Sequence, residues 1–493
     1  MMMPNLSWIL LLPTLLLGLI FFIPSDKPTL IRRISMVAIL LPFLLSIWVF
    51  TAYDSVAGGF QFVEQIRWVK EFGISYHLGV DGINSLMLLL LGVASFAAVV
   101  ASQSIKDRIK EYYILLLITI IGTYGAFLSL DIFFFYFFHE IAAVPVFLMI
   151  GIWGSERREL AAMKLTLYLV AGAALALVGL IALYFSTGLN TFDLVVIQQH
   201  LAANPIPLAV QNWIFPLIVV GFGVTLTLWP FHTWAPIGYA EAPTAVSMLH
   251  AGVLKKMGAY AIIRFAIGLM PEAAHTWMPI IATLAVVNII FCGLVALTQR
   301  DLKYILGYSS CSHMGYILLG LACFNTISLN GVVFLMFAHG IMASLAFALA
   351  GFVADQTKTR NLDELGGITK QMPFIGTCFM MAALASAGVP GFANFVAEIM
   401  VLLGSWDQYR WQTILAVLGI VITAIYMLKA IRLGFQGPLN PKWNKLVDAQ
   451  TLVEKFPFII LLAVLILVGC WPLIISKHIE TSTKTIVENI VKK

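Results

Sequence analysis

The chain of 493 residues is 61% hydrophobic and only 11% charged, with a mean hydropathy of +0.95 and a net charge of +5. A soluble domain carries about 25% charged residues, so this composition excludes a soluble globular protein and indicates a chain that crosses a membrane many times. Its long apolar runs predict helices, because the strands of a membrane barrel are short and alternating. The basic residues are scattered in short loops, so we expect lipid around the chain and no nucleic-acid partner.

Fourteen apolar segments are predicted to form membrane-spanning helices. They cover residues 4–23, 33–52, 82–102, 112–129, 131–151, 163–186, 212–229, 245–270, 277–298, 303–323, 328–354, 372–404, 411–434 and 457–475. The first segment lacks a basic start and a cleavage site, so we expect a retained helix rather than a signal peptide.

Two of these segments are interrupted. The seventh ends in PFHTWAP at 230–236, and the twelfth contains GVPGF at 388–392. Backbone breaks at membrane depth are tolerated where a segment packs in protein or lines a cavity. A broken helix in each half of a transporter-like chain points to inverted repeats around an ion path.

The basic residues also predict the orientation of the chain. With fourteen spans, eighteen lysines and arginines fall in one set of alternate loops and seven in the other. Because basic residues concentrate in cytoplasmic loops, both termini are expected on the non-cytoplasmic side. Four basic residues remain inside spans, namely Lys255, Lys256, Arg264 and Lys429.

Ionisable side chains inside the spans are the candidates for function. Besides these basic residues they are Glu140, Glu398, His139, His250, His313 and His339, with His232 at the break in the seventh segment. A charge near the bilayer centre costs about 2.5–3.5 kcal/mol, so these groups are expected to face protein or water. Such groups bind and release protons when their hydration or pairing changes. This favours a proton or ion path over the alternative, a set of purely structural polar contacts.

Helix geometry predicts that neighbouring candidates diverge. Adjacent residues of an α-helix point about 100° apart, so Lys255 and Lys256 are not expected to face one site. The same argument separates His139 from Glu140.

No cofactor or metal site is predicted in this chain. The five cysteines have no zinc-like or paired spacing. A phosphate loop and a GxGxxG motif are absent from the sequence, and the serine–histidine pairs lack an acid partner and an elbow turn.

At the candidate residues the chain resembles a known family. The stretches PFHTW, EAPTAVSM, AGVLKKMGAY, RDLKYILGYSSCSHMGYILLG, FAHGIMASLAF and GVPGFANFVAE are similar to the antiporter-like membrane subunits of respiratory complex I (NADH:quinone oxidoreductase). The chain M type fits best, and it is related to subunits of multisubunit sodium/proton antiporters. The resemblance covers essentially the whole chain. The chain ends soon after the fourteenth span, without the long lateral helix of the chain L type, which also favours chain M.

The resemblance implies an all-α polytopic membrane fold of about 14 transmembrane helices. Two inverted five-helix repeats are expected, helices 4–8 and 9–13, with helices 7 and 12 broken. The chain would then divide into helices 1–3 at residues 1–110, a first repeat at 111–270, a second at 271–434, and helix 14 with the C-terminal tail at 435–493.

The resemblance further implies a proton-translocating subunit in the membrane arm of a quinone oxidoreductase. The redox site and all cofactors would then lie in other subunits. The expected partners are the other membrane-arm subunits, including neighbouring antiporter-like subunits. The expected location is the bacterial inner membrane or an equivalent energy-coupling membrane.

Particular residues match those to which the family assigns proton transfer. They are Glu140 in helix 5, Lys256 in helix 8, His313 in helix 10, His339 in helix 11 and Glu398 in helix 12. The resemblance implies a polar axis along the membrane midplane that joins these groups.

Two departures from the family pattern affect the first repeat. The family's helix-7 lysine, the usual partner of the helix-5 glutamate, falls on Thr225, and an aspartate and a histidine of the next loop fall on Ile237 and Tyr239. The candidates to replace the missing cation are His139, His232, His250 and Lys255. Lys255 either takes over part of that role or points to a neighbouring subunit or a helix-end carbonyl.

Three functional hypotheses follow. The first is a proton-pumping complex I subunit. The second is a structural membrane-arm subunit that no longer pumps, which the missing lysine favours and the retained Lys256, His313, His339 and Glu398 oppose. The third is a subunit of a multisubunit cation/proton antiporter or a membrane-bound hydrogenase. Neighbouring genes would separate the first from the third.

Overall fold

The first half of the chain is a series of helices with one β-hairpin. The computed structural model describes residues 5–491, so residue 4 of the first predicted span and Lys492 and Lys493 of the tail lie outside the described residues. The elements are α1 (Ser7–Phe22), α2 (Pro28–Ala52), β1 (Gln61–Val69), β2 (Ile74–Val80), α3 (Gly82–Ala101), α4 (Ile109–Leu128), α5 (Ile132–Trp153), α6 (Arg158–Thr187), α7 (Leu194–Ala203), α8 (Leu208–Thr225) and α9 (Trp234–Glu241).

The second half is helical throughout its regular elements. It continues with α10 (Thr244–Leu249), α11 (Lys256–Ala261), α12 (Pro271–Thr298), α13 (Leu302–Leu321), α14 (Thr326–Thr357), α15 (Leu362–Leu365), α16 (Pro373–Ser386), α17 (Ala393–Ser405), α18 (Arg410–Ala430), α19 (Leu452–Cys470) and α20 (Leu473–Val491). Wide π-helical turns occupy His250–Leu254, Ile262–Ile267 and Ile431–Phe435.

The helical membrane fold predicted from the sequence is confirmed. Among the described residues, ten helices are long and apolar enough to cross a membrane, and four further apolar helices are shorter. Each of the fourteen predicted segments coincides with one or more helices. The number of crossings, the inverted repeats and the domain boundaries stay predictions.

Both predicted helix breaks are present. In helix 7, α8 ends at Thr225 and α9 begins at Trp234, and Thr227 between them has a φ of +69°. In helix 12, α16 and α17 are separated by a turn in which Gly388 has a φ of +68°. Thus each break replaces a regular turn of helix by irregular backbone beside the ionisable residues.

The helix α14, which coincides with the eleventh predicted span, lies at the centre of the molecule. Its apolar stretch is wholly buried inside the protein, whereas those of α5, α6 and α18 are mostly on the outside. A buried helix needs no polar face, and α14 carries only small and apolar residues around His339. The central position of α14 therefore places His339 deep in the protein.

The β-hairpin and the helices α7 and α20 were not predicted. The hairpin pairs β1 with β2 in antiparallel fashion. It is tied to the start of α5, because the Ser75 backbone N–H donates to the Asp131 carboxylate over 2.9 Å and Asp131 also caps α5. His77 on β2 lies 2.8 Å from Asp193, which caps α7. The hairpin thus fixes the end of the helix that carries Glu140.

An arginine outside the spans joins the two halves of the chain. Arg360 contacts the Glu241 carboxylate at 3.1 Å and the Asp301 carboxylate at 2.8 Å, and it also donates to the Ala240 carbonyl. Burial alone would lower the pKa of Arg360, but these two carboxylates raise it above its ordinary value. We call this group of Glu241, Asp301 and Arg360 the Arg360 clamp.

Candidate proton path

Two adjacent lysines meet at one cluster in the centre of the protein. Lys256 Nζ lies 3.0 Å from His339 Nδ1, and it also donates to the Ala251 carbonyl at 2.6 Å. Lys255 donates to the carbonyl oxygen of Ser310 at 3.0 Å and to its hydroxyl. The Ser310 hydroxyl lies 3.2 Å from His339 Nε2. Serine and histidine therefore link the two lysines, and we call these four residues the central cluster.

The prediction that Lys255 and Lys256 do not face one site was wrong. It considered only the directions in which the two lysines leave their own helix, and these do differ, toward α13 and toward α14. Ser310 and His339 reach the lysines from those two helices and contact each other, so that the two ammonium groups meet the same cluster from different sides.

The hydrogen bonds define the proton arrangement of the central cluster. A lysine ammonium group only donates, so His339 Nδ1 accepts from Lys256 and Nε2 carries the hydrogen that faces Ser310. His339 is therefore a neutral imidazole when Lys256 is charged. A proton transferred from Lys256 to Nδ1 would free the Nε2 proton for Ser310. The histidine can therefore accept a proton at one nitrogen and release one from the other.

The second carboxylate lies beside the central cluster. His313 Nε2 lies 3.4 Å from Glu398 Oε1, and the ring of His313 is 5.3 Å from that of His339. The two nitrogens of His313 also face carbonyl oxygens, Ser309 at 2.8 Å and Ser386 at 3.1 Å. Carbonyl oxygens only accept, so these contacts favour the doubly protonated ring opposite an ionised Glu398. The predicted residues of helices 8, 10, 11 and 12 thus form one contiguous set.

Glu140 is paired with its own neighbour in the sequence. His139 Nδ1 lies 3.0 Å from Glu140 Oε1, so the prediction that these side chains diverge was wrong. The ring of His139 is buried, whereas the Glu140 side chain is 32% exposed. The carboxylate therefore sits at the outer surface of α5, and the histidine stands between it and the interior.

Lys255 does not replace the missing partner of Glu140. Its ammonium group is directed to α13, where Ser310 holds it, and the ring of Tyr239 lies 5.6 Å away. Of the alternatives left open by the sequence, a carbonyl oxygen inside the protein is the one observed, although it lies in mid-helix rather than at a helix end.

His232 is buried apart from the central cluster. Its ring packs edge-on against Phe291 at 5.6 Å, and among the described residues neither ring nitrogen has a hydrogen-bond partner. The structure does not bring it together with the other predicted residues, and its part in proton transfer stays a prediction.

The two remaining basic residues inside spans have structural partners. Arg264 contacts the Asp81 carboxylate at 2.5 Å, and both side chains are buried. Lys429 donates to the carbonyl oxygen of Leu297 at 2.6 Å. Neither residue contacts the central cluster, so a buried charge alone does not mark a residue of the path.

Sequence analysis missed Ser310 and the polar residues behind it. Ser310 lies in the SSCSH stretch, where Ser309 accepts a hydrogen bond from Tyr426 at 2.9 Å. A run of small polar residues one turn from a buried histidine is a usable signal for such a bridge. It was overlooked because a hydroxyl does not itself ionise in the physiological range.

No metal-binding group is evident in the part of the chain that the structure describes. Within residues 5–491, no three histidine, cysteine, aspartate or glutamate side chains are arranged to hold a metal ion. The five cysteines are not in disulfides. That the chain binds neither metal nor cofactor stays a prediction.

Comparison with known proteins identifies the family. Residues 129–423 match the family described as NADH:quinone oxidoreductase/Mrp antiporter, TM. NAD(P)H-quinone oxidoreductase chain 4 1 of Synechococcus elongatus is 35% identical over 99% of this chain and 92% of its own length. The chain belongs to this family. NADH-quinone oxidoreductase subunit M of Rickettsia conorii is 34% identical to this family member over 85% of the present chain and 84% of its own.

Solved structures show the same family fold. A chain of respiratory complex I from Thermus thermophilus with bound NADH matches with a TM-score of 0.90 and 25% identity, over 98% of this chain and 99% of that one. A chain of the Mrp complex from Dietzia sp. matches with a TM-score of 0.85 over 99% of this chain and 100% of that one, and at 18% identity it supports the fold alone.

Proposed function

We propose that the chain is a proton-translocating membrane-arm subunit of a complex I-like NADH:quinone oxidoreductase, of the chain M type. The single observation that carries this proposal is the central cluster, which continues through His313 to Glu398. The relatives named as chain 4 and subunit M of such enzymes support the assignment. The chain takes part in the enzyme as a translocase, and the electron-transfer reaction belongs to other subunits.

The central cluster moves a proton without any bound group. Lys256 passes a proton to His339 Nδ1, and His339 releases its Nε2 proton to the Ser310 hydroxyl, which passes its own proton to Lys255 when Lys255 is a neutral amine. His313 and Glu398 change the balance of charge beside it, because a proton on His313 disfavours one on Lys256, whereas an ionised Glu398 beside a neutral His313 favours one. Electron transfer in other subunits of the complex drives the cycle.

The proposed partners are the other membrane-arm subunits, including neighbouring antiporter-like subunits. The Glu140 carboxylate supports this, because its exposed position on the outer face of α5 suits a contact with a charge of the next subunit. No cofactor, metal or nucleic acid is assigned to this chain. Lipid covers the remaining apolar surface.

The proposed location is the bacterial inner membrane or an equivalent energy-coupling membrane, with both termini on the non-cytoplasmic side. The distribution of basic residues between alternate loops supports this orientation. In this orientation, the β-hairpin lies on the non-cytoplasmic side and the Arg360 clamp lies on the cytoplasmic side.

A structural subunit that no longer pumps is the second candidate. The observation in its favour is Thr225, which stands where related chains carry the partner of the helix-5 glutamate. The central cluster argues against it, because buried lysines are costly to retain without a role. Membership of a cation antiporter is the third candidate, supported by the fold shared with the Mrp chain.

Substitutions in and beside the central cluster test the pump. In the intact complex in sealed vesicles, Lys256→Met and Glu398→Gln are each expected to lower the number of protons moved per electron. Loss of a group that transfers protons slows the step by about 10²-fold or more. Lys429→Met is the matched control, because this lysine binds a backbone carbonyl outside the cluster. If neither substitution lowers the proton-to-electron ratio below that of the control, the chain does not pump.

A further inference from the structure

The contacts described so far leave the path in two pieces. One piece is His139 with Glu140 on α5, and the other is the central cluster with His313 and Glu398. Among the described residues, no hydrogen bond joins His139 to Lys256. A proton that enters at Glu140 therefore needs one further carrier between α5 and α11.

His250 lies between these two pieces. It is buried at 3% exposure, and its charged and titratable neighbours are His139 on α5 and the two lysines of its own helix. From α9, Trp234 and Tyr239 hold the ring at centroid distances of 5.2 and 5.4 Å. The side chain is thus fixed in place by aromatic packing while it remains close to basic groups on both sides.

One nitrogen of His250 has no structural role. Within the described residues, Nδ1 is buried and has no hydrogen-bond partner. A buried polar group left in this way costs about 1–3 kcal/mol. A histidine kept only for packing would have its nitrogens bonded or would be replaced by an apolar residue. The tyrosine that holds the ring, Tyr239, also has a buried hydroxyl without a partner in this part of the structure.

The backbone at His250 is irregular as well. The wide turn begins at this residue, and its carbonyl accepts the Lys255 N–H at 3.4 Å. Such π turns occur often at functional sites, because they aim a side chain away from the regular helical direction. Here the turn sets the direction of His250 and of the lysine pair together.

The position of Thr225 also indicates that a carrier is missing between α5 and α11. The ring of Phe222 lies 5.8 Å from that of His139, and a Cβ at Gly258 would lie 2.5 Å from the Phe222 carbonyl. The last turn of α8 is therefore in contact with α5 on one side and α11 on the other. Thr225 lies three residues after Phe222, near the same face of that turn, so a long cationic side chain at 225 is expected to extend between α5 and α11.

We propose that His250 carries the proton between the His139–Glu140 pair and Lys256, in a chain whose residue 225 is a threonine. This inference rests on the proposed function. In the transfer, the neutral ring accepts a proton at one nitrogen and releases the proton of the other nitrogen to the neutral amine of Lys256. The ring ends as a neutral imidazole and no other bond changes.

The test compares His250 with Lys256 in the intact complex in sealed vesicles. His250→Leu and His250→Gln are expected to lower the proton-to-electron ratio as much as Lys256→Met does. The glutamine keeps polarity and size but carries no proton between two nitrogens. His200→Leu is the matched control, because His200 lies in the last turn of the short helix α7.

A rescue separates proton transfer from packing. Adding Thr225→Lys to His250→Leu is expected to restore the proton-to-electron ratio, because the new ammonium group can carry the proton between the His139–Glu140 pair and Lys256. Thr225→Lys alone is the control that shows whether the protein accommodates the lysine. If the proton-to-electron ratio is unchanged in His250→Gln but lowered in Lys256→Met, the inference is overturned and the proposed function stays intact. A loss in His250→Leu that Thr225→Lys does not restore would also overturn it. A ratio unchanged in both Lys256→Met and Glu398→Gln would instead remove the proposed function itself.

Discussion

At the scale of single residues, the partners of the ionisable groups decide what each can do. Lys255 and Lys256 are adjacent in the sequence, yet one binds Ser310 on α13 and the other binds His339 on α14. Each ammonium group is deprived of water and held by a few oriented acceptors. Burial disfavours the charged form and these acceptors favour it, so the charged and neutral forms are close enough in free energy for the proton to move.

His139 and Glu140 are expected to act as one unit. Glu140→Gln and His139→Phe should each lower the proton-to-electron ratio, because the first removes the titratable carboxylate and the second the ring nitrogen of the same 3.0 Å contact. Phenylalanine suits the site, since the rings of Phe135 and Phe222 already pack around His139.

The double variant tests this unit. Groups that act together give non-additive losses, with an interaction of about 0.5–3 kcal/mol in a double-mutant cycle. The double variant should therefore be no worse than the more severe single variant, as measured by proton uptake in vesicles. Fully additive losses would show that the two residues act separately.

At the scale of elements, breaks and wide turns place the path. The turn at His250–Leu254 directs the lysine pair, and the break before α17 positions Glu398. Gly388 in this break has a left-handed φ of +68°, and a Cβ there would lie 2.8 Å from Glu398 Oε2. The irregular backbone is thus in direct contact with a carboxylate of the path.

Gly388→Ala is expected to displace the Glu398 carboxylate from His313 and to lower the proton-to-electron ratio. The left-handed conformation adds a cost of about 1–2 kcal/mol. Gly391→Ala is the matched control: its φ is +99°, but nothing lies within 4 Å of the added Cβ. Both variants should lose stability in thermal unfolding, whereas only Gly388→Ala should impair transport. Equal transport in the two variants would show that the break does not position Glu398.

At the scale of the whole molecule, the Arg360 clamp holds the two halves together. Arg360 follows α14 in the chain, while its partners Glu241 and Asp301 stand at the end of α9 and the start of α13. Its side chain is 20% exposed and that of Glu241 only 2%. The clamp therefore fixes the broken helix of the first half against the second half, on which the alignment of the central cluster depends.

Arg360→Leu is expected to destabilise the subunit by about 3 kcal/mol, because it leaves a buried carboxylate without its partner. The midpoint of thermal unfolding of the purified complex, followed on this subunit, should fall. Arg300→Leu is the control, because its pair with Asp363 is more than half exposed and such pairs contribute about 0–1 kcal/mol. A similar small shift for both variants would show that the clamp does not join the halves.

The sequence predicted much of the fold, because helices in lipid must satisfy their own backbone hydrogen bonds and are therefore visible as long apolar runs. The β-hairpin was not predicted because β1 is largely exposed and neither strand forms an apolar run of membrane-spanning length. It is defined by its contacts with Asp131 and Asp193, which lie more than 50 residues away in the chain.

The sequence by itself determined that the chain lies in a membrane, where its helices break, and which ionisable groups it holds there. These follow from hydropathy and from the presence of residues whose cost in lipid is high. Only the tertiary structure decided how the groups pair. Lys255 and Lys256 meet one cluster and His139 meets Glu140 because side-chain positions depend on rotamers and on helices that arrive from distant parts of the chain. For the same reason the structure, and not the sequence, shows that His139, of the four candidates for the missing cation, is the one that contacts Glu140.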